Sequence, residues 1–187
     1  MKKAILSIIF IMAAAIVFGQ SESDFVTELT ADFSGVVIKK YKGSATSVVI
    51  PATIQGMPVK EIGASAFEKE WKLISVVVPD TVIKIGENAF SNCTNLTRIN
   101  IPDSITIIKR STFFSCNLSS ITLPSNIKEI QPFAFYSNIN LSTIIIPDTI
   151  EKIKFDPNDT GYGAFNYTKL PLPTQARLRK LGYTGKF

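Results

Sequence analysis

Apolar positions return along this chain in a fixed order with polar ones between them, and the order predicts a strand repeated many times over. Its signal is Leu-x-x-Val/Ile-x-Val/Ile/Leu ahead of a proline: Leu73, Val76, Val78; Leu96, Ile99, Ile101; Leu118, Ile121, Leu123; Leu141, Ile144, Ile146. Alternation of this kind marks a half-buried strand. The prolines fall at 51, 79, 102, 124 and 147, at intervals of 28, 23, 22 and 23 residues, which is a solenoid period.

A second apolar segment follows each of the last four prolines: Val82 and Ile85, Ile105 and Ile108, Ile127 and Ile130, Ile150 and Ile153. A small residue and a phenylalanine close each unit, giving the column Phe67, Phe90, Phe113, Phe135 and Phe165. Stacked at the usual strand spacing of roughly 4.8 Å, these rings would form one aromatic spine. No unit can bury its own apolar face, so the array is stable only as a stack.

The pattern divides the chain into an N-terminal segment and cap over 20–44, repeats over 45–170 and a C-terminal cap over 171–187. Within the first cap, residues 33–41 read as strand material covering the open end of the stack. Residues 54–59 and 155–161 read as turn-rich insertion loops. Residues 174–181, followed by Gly182, read as a short amphipathic helix with its stop signal. Both ends are therefore expected to be capped, as exposed solenoid edges require.

The residues flanking the inner isoleucine or valine of each strand point outwards and line up between units. The columns are Ser47, Ser75, Arg98, Ser120, Thr143 and Val49, Val77, Asn100, Thr122, Ile145. This face is rich in hydroxyls, partly apolar and carries one charge, which suits a protein segment or a glycan better than a phosphate. Ser75, Val77, Arg98, Asn100, Ser120, Thr122, Thr143 and Ile145 are the candidate partner-binding residues. The plainer reading is that such residues merely suit exposed strands. Trp71, the single tryptophan, is either a contact anchor or packs against the N-terminal unit.

Composition narrows the picture. Lys2 and Lys3 precede an almost wholly apolar run over 4–18, so residues 1–19 read as a secretory signal peptide with cleavage near Gly19. The run is shorter than the roughly 20 residues that span a bilayer, and nothing after it is long and apolar enough to do so. Loss of the two lysines would lower the net charge from +5 to +3, too weak a balance for a dedicated nucleic-acid binder. The basic residues Lys169, Arg177, Arg179, Lys180 and Lys186 cluster at the end, as a solvated face of the cap.

Chemistry is sparse. The chain has no histidine, which removes histidine acid–base catalysis, Ser-His-Asp triads and the commonest transition-metal ligand. Asp80, Asp103 and Asp148 recur after the prolines, but Ser125 fills the same column, so they read as turn formers and not as catalytic carboxylates. Residues 156–161 echo the start of a calcium loop, yet Tyr167 stands where a bidentate glutamate belongs, and an ordinary loop fits better. No metal or cofactor is expected. Cys93 and Cys116 share one repeat position, a rung apart, and read either as a disulfide or as buried thiols; Asn138 in the same column shows that sulfur is not required there. The Asn-x-Ser/Thr sequences carry no assigned role.

The phrases IPATIQGMPVKEIGASAF, VPDTVIKIGENAFSNCTNLTRINIP and LPSNIKEIQPFAFYSNINLSTIIIP resemble the BspA-like leucine-rich repeat family over roughly residues 32–187. YKGSATSVVIPATIQGMPVKEIG is similar to that family's entry unit, and LRKLGYTGKF to an ending found in some members. The resemblance implies a leucine-rich-repeat solenoid, mainly β with short irregular or helical convex segments, here of about five repeats. It also implies a secreted or cell-surface protein of host-associated microbes, with adhesion to host or cell-surface proteins as its role. The chain departs from the large adhesins in its few repeats and in showing no second domain or wall anchor. The resulting expectation is a non-enzymatic, exported interaction module. A secreted carbohydrate-active protein and a structural spacer in a larger assembly are the alternatives.

Overall fold

The computed structural model describes residues 20–154 and 163–187. The signal-peptide segment 1–19 and the insertion 155–161, with its calcium-loop echo, lie outside the described residues. After a short 3-10 turn at Glu22–Asp24 come β1 (Phe25–Leu29) and β2 (Val36–Tyr41), an antiparallel pair. Then β3 (Ser47–Val49), β4 (Thr53–Ile54) and β5 (Met57–Ile62) make the first turn of the coil.

Each later turn contributes two short strands, one per face. They are β6 (Ser75–Val77) and β7 (Lys84–Ile85), β8 (Arg98–Ile99) and β9 (Ile107–Ile108), β10 (Ser120–Thr122) and β11 (Glu129–Ile130), and β12 (Thr143–Ile145) and β13 (Lys152–Ile153). The helix α1 (Leu172–Lys180) closes the chain. The result is a β-solenoid with little helix.

Neighbouring turns pair in parallel and in the register of the repeat. Ser47, Ser75 and Arg98 lie side by side, as do Val48, Val76 and Ile99, and Ser120 faces Thr143. The second face runs β5 to β7 and, separately, β9–β11–β13. The core is the sum of the inward columns, and Phe67, Phe90, Phe113, Phe135 and Phe165 are all fully buried. Their rings stack with centroids 5.0, 5.7, 5.5 and 5.4 Å apart and planes within 22° of parallel. Tyr41 extends the spine at one end, stacked 5.1 Å from Phe67, and Tyr183 meets Phe165 edge-on at the other.

The segment carrying each phenylalanine is tied to the next turn by alternate backbone amides: Ser65 to Glu87, Phe67 to Ala89 and Lys69 to Ser91, and likewise onwards. That alternation rests on positive φ two residues before and after the ring, at Ser65 and Lys69, Asn88 and Asn92, Ser111 and Ser115, and Phe133 and Ser137. Asparagine enters the left-handed region more readily than most non-glycine residues do and fills both positions in one turn, while serine fills four of the eight.

The structure differs from the sequence expectations in three places. Residues 33–35 are a turn and not strand: the Asp32 carboxylate accepts the Ser34 amide and hydroxyl, Phe33 has φ 57°, and β2 starts only at Val36. The insertion 54–59 is a hairpin and not a plain loop, because Gln55 and Gly56 both take positive φ, as tight two-residue turns between antiparallel strands require. The helix starts at Leu172, ahead of the expected 174, since a proline is tolerated in a first turn where its missing N–H has no partner to lose.

Candidate functional site

The strand face presents the outward columns as the repeat dictates. Arg98, Ser120, Thr122 and Thr143 are exposed, Ser75 is half-buried, and Val77 and Ile145 are 50% and 58% exposed. The Ser75 hydroxyl donates to that of Ser47 at 3.0 Å, so part of the hydroxyl column is internally bonded. Asn100 lies in the same column, but its amide is committed: Oδ1 accepts the Val78 N–H and Nδ2 donates to the Val78 carbonyl, each at 2.8 Å. The side chain thus stands in for a backbone peptide beside Val78, where β8 has already ended.

A break in the sheet is the feature that the repeat pattern does not announce. The strand face comprises two sheets, β3–β6–β8 and β10–β12, and no pairing joins β8 to β10. Elsewhere the residue after each repeat leucine donates its amide to the preceding turn: Ile74 to Thr46, Thr97 to Ile74, Ser142 to Ser119. At the break that bond is displaced, and the Asn117 amide binds the Leu96 carbonyl instead. The cause is legible in the sequence. Two residues separate Cys93 from Leu96 and Asn138 from Leu141, whereas only one separates Cys116 from Leu118, so this turn is one residue short. A groove of about 380 Å³ opens there, with Arg98, Asn100, Asp103, Ser120 and Thr122 among its lining.

The second face has a different character. Its charges are largely paired across turns, Lys84 with Glu61 at 2.7 Å, Lys154 with Glu129 at 2.9 Å and Lys128 with Glu151 at 2.8 Å. Hydrogen bonds from Gln131 and Lys154 hold the Glu129 carboxyl below its usual range against the opposing effect of burial. On the phenylalanine side, Phe114 and Tyr136 stack at 5.1 Å, and Arg110 lies over the Phe133 ring at 4.7 Å. Sequence reasoning passed over this half-buried aromatic pair, although Phe114 and Tyr136 each directly follow a spine phenylalanine.

Cys93 and Cys116 are free, buried thiols. Burial pushes Cys93 up to about 12 and Cys116 well above its ordinary value, so neither is a thiolate at neutral pH. Each Sγ donates to the phenylalanine carbonyl of the preceding turn, Cys93 to Phe67 and Cys116 to Phe90, and Asn138 Nδ2 gives the same bond to Phe113. Trp71 is 59% exposed with Lys72 over its ring, and beside it a groove of about 220 Å³ is lined by Gly43, Ser44 and Ala45 of the N-terminal unit.

Asp103 lines the strand-face groove, and Asp148 pairs with Arg177 of α1. Arg179 packs over the Tyr183 and Phe187 rings, so two of the terminal basic residues serve the cap. Among the described residues no group of three or more His, Cys, Asp or Glu side chains is gathered as a metal site would require. None of the described helices is long and apolar enough to cross a membrane.

Parallel short strands, repeat leucines and a stacked phenylalanine spine define a leucine-rich-repeat solenoid, a class ordinarily built for binding proteins and not for catalysis. Residues 60–171 match the BspA type leucine rich repeat region in six copies, and the chain belongs to that family. It is similar to a crystal structure of a leucine rich repeat protein from T. pallidum, with 26% identity and a TM-score of 0.56, covering 91% of this chain and 99% of that one. It is also similar to a leucine-rich repeat protein from Bacteroides ovatus, with 30% identity, a TM-score of 0.61, and coverage of 70% of this chain and 42% of the other. A leucine rich cell surface protein from Faecalibacterium prausnitzii gives 26% identity and a TM-score of 0.66, over 87% of this chain and 41% of that one. The chain thus spans less than half of the latter two. No curated protein sequence matches it.

Proposed function

We propose that this chain is an exported interaction module, displayed at the cell surface, that holds a host or cell-surface protein against the strand face. The observation that carries this reading is the contrast between the two faces. Both faces expose apolar side chains, Ile83 and Ile107 on the second and Val77 and Ile145 on the strand face. The second face, however, has its charges largely paired across turns, whereas the strand face sets its apolar groups among exposed hydroxyls and the charge of Arg98. Apolar side chains exposed among polar ones are the raw material of a protein interface. Similarity to the leucine rich cell surface protein from Faecalibacterium prausnitzii and the signal-like segment 1–19 support display.

The test is binding of the purified protein to immobilised extracellular-matrix proteins and to intact cells, compared with the double variant Arg98→Glu, Thr122→Arg. Both positions are exposed, so the fold survives and the circular dichroism spectrum is unchanged. Loss of binding in the variant is expected. Unchanged binding moves the site off this face. Protease shaving of intact producing cells checks display separately: the protein is digested if it is on the surface and survives if it is not.

A further inference from the structure

We infer that the groove at the sheet break receives an extended peptide segment of the protein ligand, one carrying an acidic and a basic side chain about five residues apart. The inference rests on the strand-face reading above and gives it a chemical specificity. Its ground is the distribution of charge around the groove. Arg98 stands at the start of β8, and Asp103 lies beyond its end, past Pro102; both line the same opening. Among the described residues Arg98 has no carboxylate within ion-pairing distance, and Asp103 has no cation.

Five residues of extended chain span at most roughly 17 Å, so the two charges bracket a stretch that one strand-like segment can follow. Between them the exposed Ser120 and Thr122 offer hydroxyl partners, over a floor formed by the buried Ile99, Ile101 and Ile121. The Asn117 amide still ties this turn to the Leu96 carbonyl, so the segment lies over the break and is read through its side chains. Asn100 helps by sealing the Val78 side, so the opening faces β10 alone. A glycan is the less suitable occupant, since no aromatic ring lines the groove to stack against a sugar.

The experiment is selection of a random linear peptide library displayed on phage, on the full-length protein and on the charge-swapped variant Arg98→Glu, Asp103→Arg. The wild type is expected to enrich peptides with one acidic and one basic residue four to six positions apart, in one N-to-C order. The swapped variant is expected to enrich the reverse order. For a selected peptide made synthetically, Arg98→Gln should weaken binding by about tenfold or more, the loss of a charge-assisted hydrogen bond. Absence of enrichment, an unchanged peptide set on the swapped variant, or competition by neutral oligosaccharides instead of peptides would overturn the inference. Failure here with a retained effect of Arg98→Glu, Thr122→Arg on whole-ligand binding would leave the strand-face reading standing and remove only the peptide specificity.

Discussion

At the residue scale, the column Cys93, Cys116, Asn138 shows one structural task solved by two chemistries. The phenylalanine carbonyl of the preceding turn is buried and needs a donor, and a thiol or a carboxamide can supply it. Asn138 does more, because Oδ1 also accepts the Leu118 amide and Nδ2 reaches Phe135. Asn138→Ala is therefore expected to destabilise by about 3 kcal/mol and Cys93→Ala by only about 1 kcal/mol, with Cys93→Ser close to neutral, all read from urea unfolding. The equivalence of sulfur and amide was visible in the sequence. Their shared partner was not, since the direction of that carbonyl is set by the left-handed residues flanking each ring.

The same thiols set a pH dependence. Cys93 titrates near its ordinary value of 9.0 when unfolded and at about 12 when folded, so the unfolded chain loses its proton first as pH rises. The contribution is complete below pH 9.0 and is lost progressively between there and about 12. Tyr183, also raised by burial, adds to the loss in the alkaline range. Urea midpoints measured from pH 8 upwards should fall, and Cys93→Ala should make the fall shallower.

At the element scale, the informative unit is the short turn at Cys116-Asn117-Leu118. The interval of 22 residues was legible in the proline spacing, but its consequence was not, because a shortened turn can be absorbed anywhere around the coil. Here it is absorbed where β8 meets β10, and the ladder opens. Inserting a threonine between Cys116 and Asn117, as in Cys93-Thr94-Asn95-Leu96, should restore the pairing. Hydrogen exchange at the Ser120 and Thr122 amides reports it: slower exchange is expected, and an unchanged rate would locate the cause of the break elsewhere. The candidate columns themselves were readable because a strand alternates its side chains, while the commitment of the Asn100 amide to Val78 depends on where β8 ends.

At the scale of the whole molecule, stability is shared between each turn and its neighbours, so damage is most costly in the middle of the stack. Phe113, buried between Phe90 and Phe135, is expected to cost about 4 kcal/mol on replacement by alanine, as judged by chemical denaturation. Tyr41 and Tyr183 close the spine with rings that also hydrogen-bond, Tyr41 Oη to the Ala45 amide and Tyr183 Oη to the Phe165 amide. The spine and the strand columns fix the shape and leave recognition to the side chains that point out of it.

The central claim, that recognition uses the strand face, is tested most directly by photo-crosslinking. A benzoylphenylalanine is placed at Thr143 on the strand face or at Lys84 on the second face, and the protein is irradiated with ligand-bearing cells. Crosslinks from position 143 and none from position 84 are the expected result; crosslinks from 84 alone would contradict it.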